Sequence, residues 1–238
     1  MEKPLALTTR DAYELVEQAR ARRVVLSTGH FHGFNNGLRA LKSTLEPSIL
    51  GEPHYLGLEW TGVSPPQDQG SVITDLAPHP FDIANCLTGQ WPQKISCIAR
   101  GYRNIETEEV AFITCEYESG LFAEIEVSTL DLCQRRNLRI VGEKGTANLN
   151  LLDQKVVLHH QQRVVNIPII PSNTLREEIE HLANCIGRNR LAQTFSDNDG
   201  LLGAHVVTCL EAAREAMLEE RSVKVSFPSL DNEPVMMN

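Results

Sequence analysis

Between Ile95 and Ile167 the chain holds seven short β-prone segments with turns between them, and no other stretch constrains the fold as strongly. They run Ile95–Arg103, Val110–Tyr117, Leu121–Leu130, Asn137–Gly142, Thr146–Leu151, Lys155–His160 and Arg163–Ile167. Consecutive strands joined by short turns pair with their neighbours as an antiparallel sheet. Glu118-Ser119-Gly120 and Glu143-Lys144-Gly145 read as hairpin turns whose glycine takes a positive φ. Ala123–Ser128 alternates apolar and polar residues, which gives that sheet one buried face and one wetter face.

Upstream the pattern is different. Glu2–Leu7 reads as the end of a strand and its exit turn, Thr8–Asp11 as a helix start, and Arg10–Arg22 as a helix with Ala12, Leu15, Val16 and Ala19 on one face. Val24–Thr28 is a β-branched apolar run of the kind found in buried parallel strands. It leads into Gly29-His30-Phe31-His32-Gly33, a loop at the carboxyl end of a strand, where open α/β sheets bind ligands. A second helix is expected from Phe34 to Leu45, then a strand over His54–Trp60 and a polar loop from Val63 to Gly70. Strand, helix, strand, helix in so short a stretch is an α/β alternation too small to make a sheet of its own. After the sheet come a helix opening at Asn173 with Thr174 and Glu177 as a capping box, and another from Asp199 to Glu219. A last short strand spans Arg221–Val225, and Ser229–Asn238 reads as a frayed end.

The chemistry gathers in Gly70–Asn85, read as one helix with an apolar stripe through Ile73, Leu76, Ile83 and Ala84. Asp75 and His79 stand four apart and share a face, with a tight or kinked turn at Pro78 and Pro80. A carboxylate beside an imidazole orients the ring and tunes it for proton exchange near neutral pH, although surface neighbours also show this spacing. His30-x-His32 lacks a nearby third ligand and reads as loop histidines, so the metal expectation is none. Trp60 and Trp91 read as core or sheet-face aromatics, His181 as a packing-edge residue, and Asp197–Gly200 as a helix-entry turn lacking the distal Glu of a calcium loop.

A net charge of −9 with pI near 5.4 argues against a nucleic-acid or anionic-membrane partner, since both need a basic face. No apolar run reaches membrane-spanning length, and Met1–Pro4 lacks the layout of a signal peptide, so a cytoplasmic location is expected. The six cysteines are scattered without a C-x-x-C pair and read as reduced core or near-core residues.

Three features together resemble the Gfo/Idh/MocA oxidoreductases, the superfamily of glucose-fructose oxidoreductase and inositol dehydrogenase. They are Glu2-Lys3-Pro4, matching the family's E-K-P motif; Asp75 and His79, followed by Asp82 and Leu87-Thr88-Gly89; and the closing helices around Glu177–Leu182 and Leu210–Ala213. The resemblance implies an α+β fold in which residues 1–46 are the C-terminal remnant of a truncated Rossmann-type dinucleotide-binding domain. Residues 47–238 then form a substrate-binding and dimerisation domain, a mostly antiparallel sheet flanked by helices. It further implies NAD or NADP as cofactor, a sugar or polyol as substrate, and a homodimer or homotetramer formed through the sheet. Catalytic roles fall to Lys3, Asp75 and His79, and cofactor contacts to Glu2, Lys3, Pro4, His30 and Phe31. The family's G-x-G-x-x-G turn does not occur in this sequence, so dinucleotide binding by these residues alone is expected to be weak or absent. Phe31 and Gly33 stand where relatives carry Asn and Arg, and the reading that competes with an enzyme is a sugar-binding or dimerising module without cofactor.

Overall fold

The structure is a computed structural model that describes residues 1–45, 49–65, 70–187 and 199–230. Among the described residues nine strands form one sheet: β1 (Pro53–Thr61), β2 (Lys94–Arg100), β3 (Val110–Glu116), β4 (Phe122–Ser128), β5 (Arg135–Gly142), β6 (Gly145–Asn150), β7 (Lys155–His160), β8 (Arg163–Ile167) and β9 (Val223–Lys224). Their order is β8-β7-β6-β5-β1-β4-β3-β2-β9. Every pairing is antiparallel except β1 with β4, which run parallel. The fold is α+β, as the run of β segments implies, and each expected strand of that run is present within a few residues.

Period-two alternation gives the sheet two unlike faces. Leu56, Leu58, Ile95, Ile113, Ile125, Leu138, Ile140 and Leu149 point to one side and are almost wholly buried. There they meet Phe81, Ile83 and Ala84 of α4 (Pro78–Thr88) and Val206, Leu210 and Ala213 of α6 (Gly200–Leu218). Asp199 starts α6 by accepting a 2.7 Å hydrogen bond from Leu202 N. A smaller cluster joins Ala12, Tyr13 and Val16 of α1 (Thr9–Ala21) to Ala204 and Val207 of α6, with Leu5 between them. The first helix therefore shares its core with the helix that covers the sheet.

Five local expectations are corrected. Val24–Thr28 is not a strand: its one bridge joins Ser27 to Asp199, and Met1 N donates to Ser27 O while Gly29 N donates to Met1 O. Those few bonds hold the segment extended without making a ladder. The helix expected over Phe34–Leu45 is a 3-10 turn at Phe31–Phe34 and α2 at Asn36–Ser43, because Asn35 is extended and caps α2 through Leu38 N. The helix expected over Gly70–Asn85 is two helices, α3 (Val72–Asp75) and α4. Pro78 and Pro80 occupy the first turn of α4, where a missing N–H costs no intrahelical bond. Gly145 does not have a positive φ and lies inside β6; a Cβ there would come within 2.7 Å of His159 O, so the residue serves close strand approach. Gly120 does take the positive φ expected of it. Finally, α5 (Thr174–Gly187) is capped by Asn173, whose side chain accepts from Arg176 N, while Glu177 pairs with Arg39. Parts of the Val63–Gly70 loop, Asp197, Asn198 and the end of the Ser229–Asn238 tail lie outside the described residues.

Candidate active site

The break between α3 and α4 decides the geometry. Ser71 starts α3 with a capping box, and the helix ends after one turn at Asp75. Lys3, brought alongside by the N-terminal segment, places Nζ 2.8 Å from Asp75 Oδ1 and 2.5 Å from Asp75 O. An ammonium at a helix C-terminus meets both the carboxylate and the helix's terminal carbonyl. Asp75 is half-exposed and Lys3 is partly buried, so the pair lies at the lip of the site.

His79 sits in the first turn of α4 and is 8% exposed. Among the described residues its buried Nδ1 has no hydrogen-bond partner. Rings hold it in place of a carboxylate: Trp60 stacks on it at 5.0 Å, His32 meets it edge-on at 5.1 Å, and Phe31 lies at 5.8 Å between centroids. The expectation that Asp75 orients the His79 ring is thus not what the geometry shows, because the helix break turns that carboxylate to Lys3. Burial keeps His79 well below the usual histidine pKa, and the charges of Lys3 and Arg136 act in the same direction. Near neutral pH the ring is uncharged and able to accept a proton.

The remaining candidate residues are placed as follows. Glu2 is exposed, and Pro4 is partly buried and follows a cis peptide bond. Phe31 is partly buried and packs on His32. His30 is fully buried, with Nδ1 3.9 Å from Asp82 Oδ2. The histidines of His30-x-His32 are buried, not the loop histidines the sequence suggested, and burial lowers their pKa values to about 4 and about 3. Among the described residues no group of three or more His, Cys, Asp or Glu side chains could hold a metal ion.

Sequence reasoning missed Trp60 and Arg136 as members of the site. The β1–β5 register places the two directly opposite each other, and the guanidinium lies over the indole at 4.7 Å. A tryptophan at the end of a predicted strand was the available signal for the first; nothing marked the second.

The protein-family comparison matches residues 38–148 to the GFO/IDH/MocA C-terminal domain. Over that stretch, a little under half of the chain, it is similar to the C-terminal domain of the Gfo/Idh/MocA oxidoreductases. Among curated proteins it is 25% identical to myo-inositol 2-dehydrogenase of Thermotoga maritima over 68% of this chain and 52% of that one. It is 26% identical to UDP-N-acetylglucosamine 3-dehydrogenase of Acidithiobacillus ferrooxidans over 86% of this chain and 62% of that one. The chain therefore spans about half to two thirds of the length of these relatives. The solved structure of the latter enzyme superposes with a TM-score of 0.79 at 25% identity, covering 90% of this chain and 68% of that one. An inositol dehydrogenase homolog from Azotobacter vinelandii, complexed with NADH and myo-inositol, shares the fold at a TM-score of 0.81 and 16% identity, over 94% and 70% of the two chains.

Proposed function

We propose that this chain forms the substrate-binding and proton-handling part of an NAD(P)-dependent oxidoreductase. The reaction is hydride transfer between a nicotinamide and a hydroxyl-bearing small molecule such as a sugar or polyol. The observation that carries this reading is the Lys3–Asp75 ion pair at the end of α3, with the buried His79 four residues on in the first turn of α4. Relatives named as dehydrogenases of such compounds support it.

The residues fit the reacting end of a nicotinamide cofactor in one respect: they offer a buried neutral imidazole at His79 and an ammonium at Lys3 fixed by Asp75. They do not include a phosphate cradle, since none of the 15 glycines falls in a G-x-G-x-x-G pattern. When bound, the nicotinamide supplies the hydride acceptor or donor. The protein groups do the rest. His79 takes the hydroxyl proton as the alcohol is oxidised and returns it in the reverse direction. Lys3 stabilises the negative charge that develops on oxygen, and Asp75 holds the ammonium in place. Glu2, Pro4 and Phe31 line the cofactor side, with His30 behind them. Residues 1–46 serve as the end of the dinucleotide domain and residues 47–238 as the substrate domain, which pairs with a second copy through the outer face of the sheet.

The test is nicotinamide absorbance on mixing the protein with NAD or NADP and a panel of sugars and polyols. Turnover that depends on one of them at saturating cofactor concentration is expected, since these residues alone bind dinucleotide weakly. The second reading is a sugar-binding or dimerising module without cofactor. Sugar binding with no turnover under any pairing would establish that module and overturn the enzyme.

A further inference from the structure

Arg135 and Arg136 are adjacent, both half-buried, and treated differently by their surroundings. Arg135 is neutralised by Asp131, its Nη1 3.0 Å from the carboxylate. Arg136 has no ion pair among the described residues. Its Nη1 spends both hydrogens on backbone carbonyls, Thr61 O at 2.6 Å and Arg135 O at 2.7 Å. The flat face of the guanidinium lies on Trp60. What remains is the edge formed by Nε and Nη2, which makes no hydrogen bond within the described residues.

That edge belongs to a group fixed on two sides. The backbone bonds and the indole set its plane, so the geometry is preorganised before anything binds. Two parallel N–H vectors on one edge of a guanidinium match the two oxygens of a carboxylate or phosphate. Leaving such a charge half out of water without a counter-ion is unfavourable, and an arriving anion offsets that cost. The arrangement is close to the chemistry, because Trp60 stacks directly on His79. Burial lowers the pKa of Arg136 with no neighbouring carboxylate acting against it, in keeping with an uncompensated charge.

We propose that Arg136 is an anion-binding, specificity-determining residue, and that the substrate of this site is an anionic sugar or polyol carrying a carboxylate or phosphate. The inference rests on the reading of the Lys3, Asp75 and His79 cluster as a polyol site.

The experiment is calorimetric titration of the protein with glucose, glucuronate and glucose 6-phosphate, using wild type, Arg136→Gln and Arg136→Lys. At least one anion binds wild type about tenfold more tightly than glucose, as a charge-assisted contact provides. That preference, read as the ratio of anion to glucose binding within each variant, shrinks with added salt, disappears in Arg136→Gln and persists in part in Arg136→Lys. The stronger of the two anions shows whether a carboxylate or a phosphate is read. Equal binding of all three ligands by wild type overturns the proposal, as does an anion preference that survives in Arg136→Gln. Binding of none of them overturns the polyol site itself, and the charge preference with it.

Discussion

Three histidines in one buried cluster make protonation a cost to the fold. His30 and His32 have pKa values of about 4 and about 3, and burial also holds His79 well below the ordinary 6.5. In the unfolded chain each titrates near 6.5, so the unfolded state takes up protons first as the pH falls. Their stabilising contribution is whole above about pH 6.5 and is lost as the pH falls through their lowered values, about 4 for His30 and about 3 for His32. Melting temperature should therefore drop across that window in calorimetric scans. His32→Phe, which keeps a ring against Phe31 and Trp60, should make the drop shallower; an equally steep drop would show that His32 is not buried in neutral form. At this scale the sequence disclosed types more readily than settings. Lys3, Asp75 and His79 stood out by motif and spacing, but the partner of Asp75 did not, because it depends on where α3 stops. Arg136 was silent, since its meeting with Trp60 depends on a pairing between β1 and β5 that local spacing does not encode.

The sheet shows what local pattern reveals and what it leaves out. Alternation fixed the inner face, since Ile113, Ile125 and Ile140 all fall on the buried side. The parallel pairing of β1 with β4 was not legible, because the helices and two strands between them hide which strands become neighbours. The same alternation sends Phe112, Phe122 and Ile98 outward, where they are exposed. Tyr55 stacks on Phe122 at 5.4 Å, so rings from β1 and β4 meet on a face that also carries Glu59, Glu124 and Glu126. As the proposed pairing surface it carries a direct prediction. Phe112→Glu and Phe122→Glu together should convert a dimer to a monomer in sedimentation analysis while leaving far-ultraviolet circular dichroism unchanged. A wild-type chain that sediments as a monomer, or a variant that stays dimeric, would remove this face from the assembly.

At the scale of the whole molecule, one site is assembled from distant parts. α6 spans both cores, packing on the sheet with one face and on α1 and Leu5 with the other. Gly203 permits the close approach, since a Cβ there would lie 2.3 Å from Thr28 Oγ1 and 3.2 Å from Leu5 Cβ. That packing sets the N-terminal segment, and with it Lys3, against the end of α3. Sequence order and motif made this organisation readable as a family pattern; the anchoring contacts themselves are tertiary and left no local trace. Among the described residues no helix is long and apolar enough to cross a membrane. The central claim is that His79 moves the proton in a hydride-transfer reaction. Steady-state kinetics and cofactor titration of His79→Ala in the active protein address it most directly. Turnover should fall by about 10² to 10⁴-fold while cofactor affinity is retained; unchanged turnover would contradict the account.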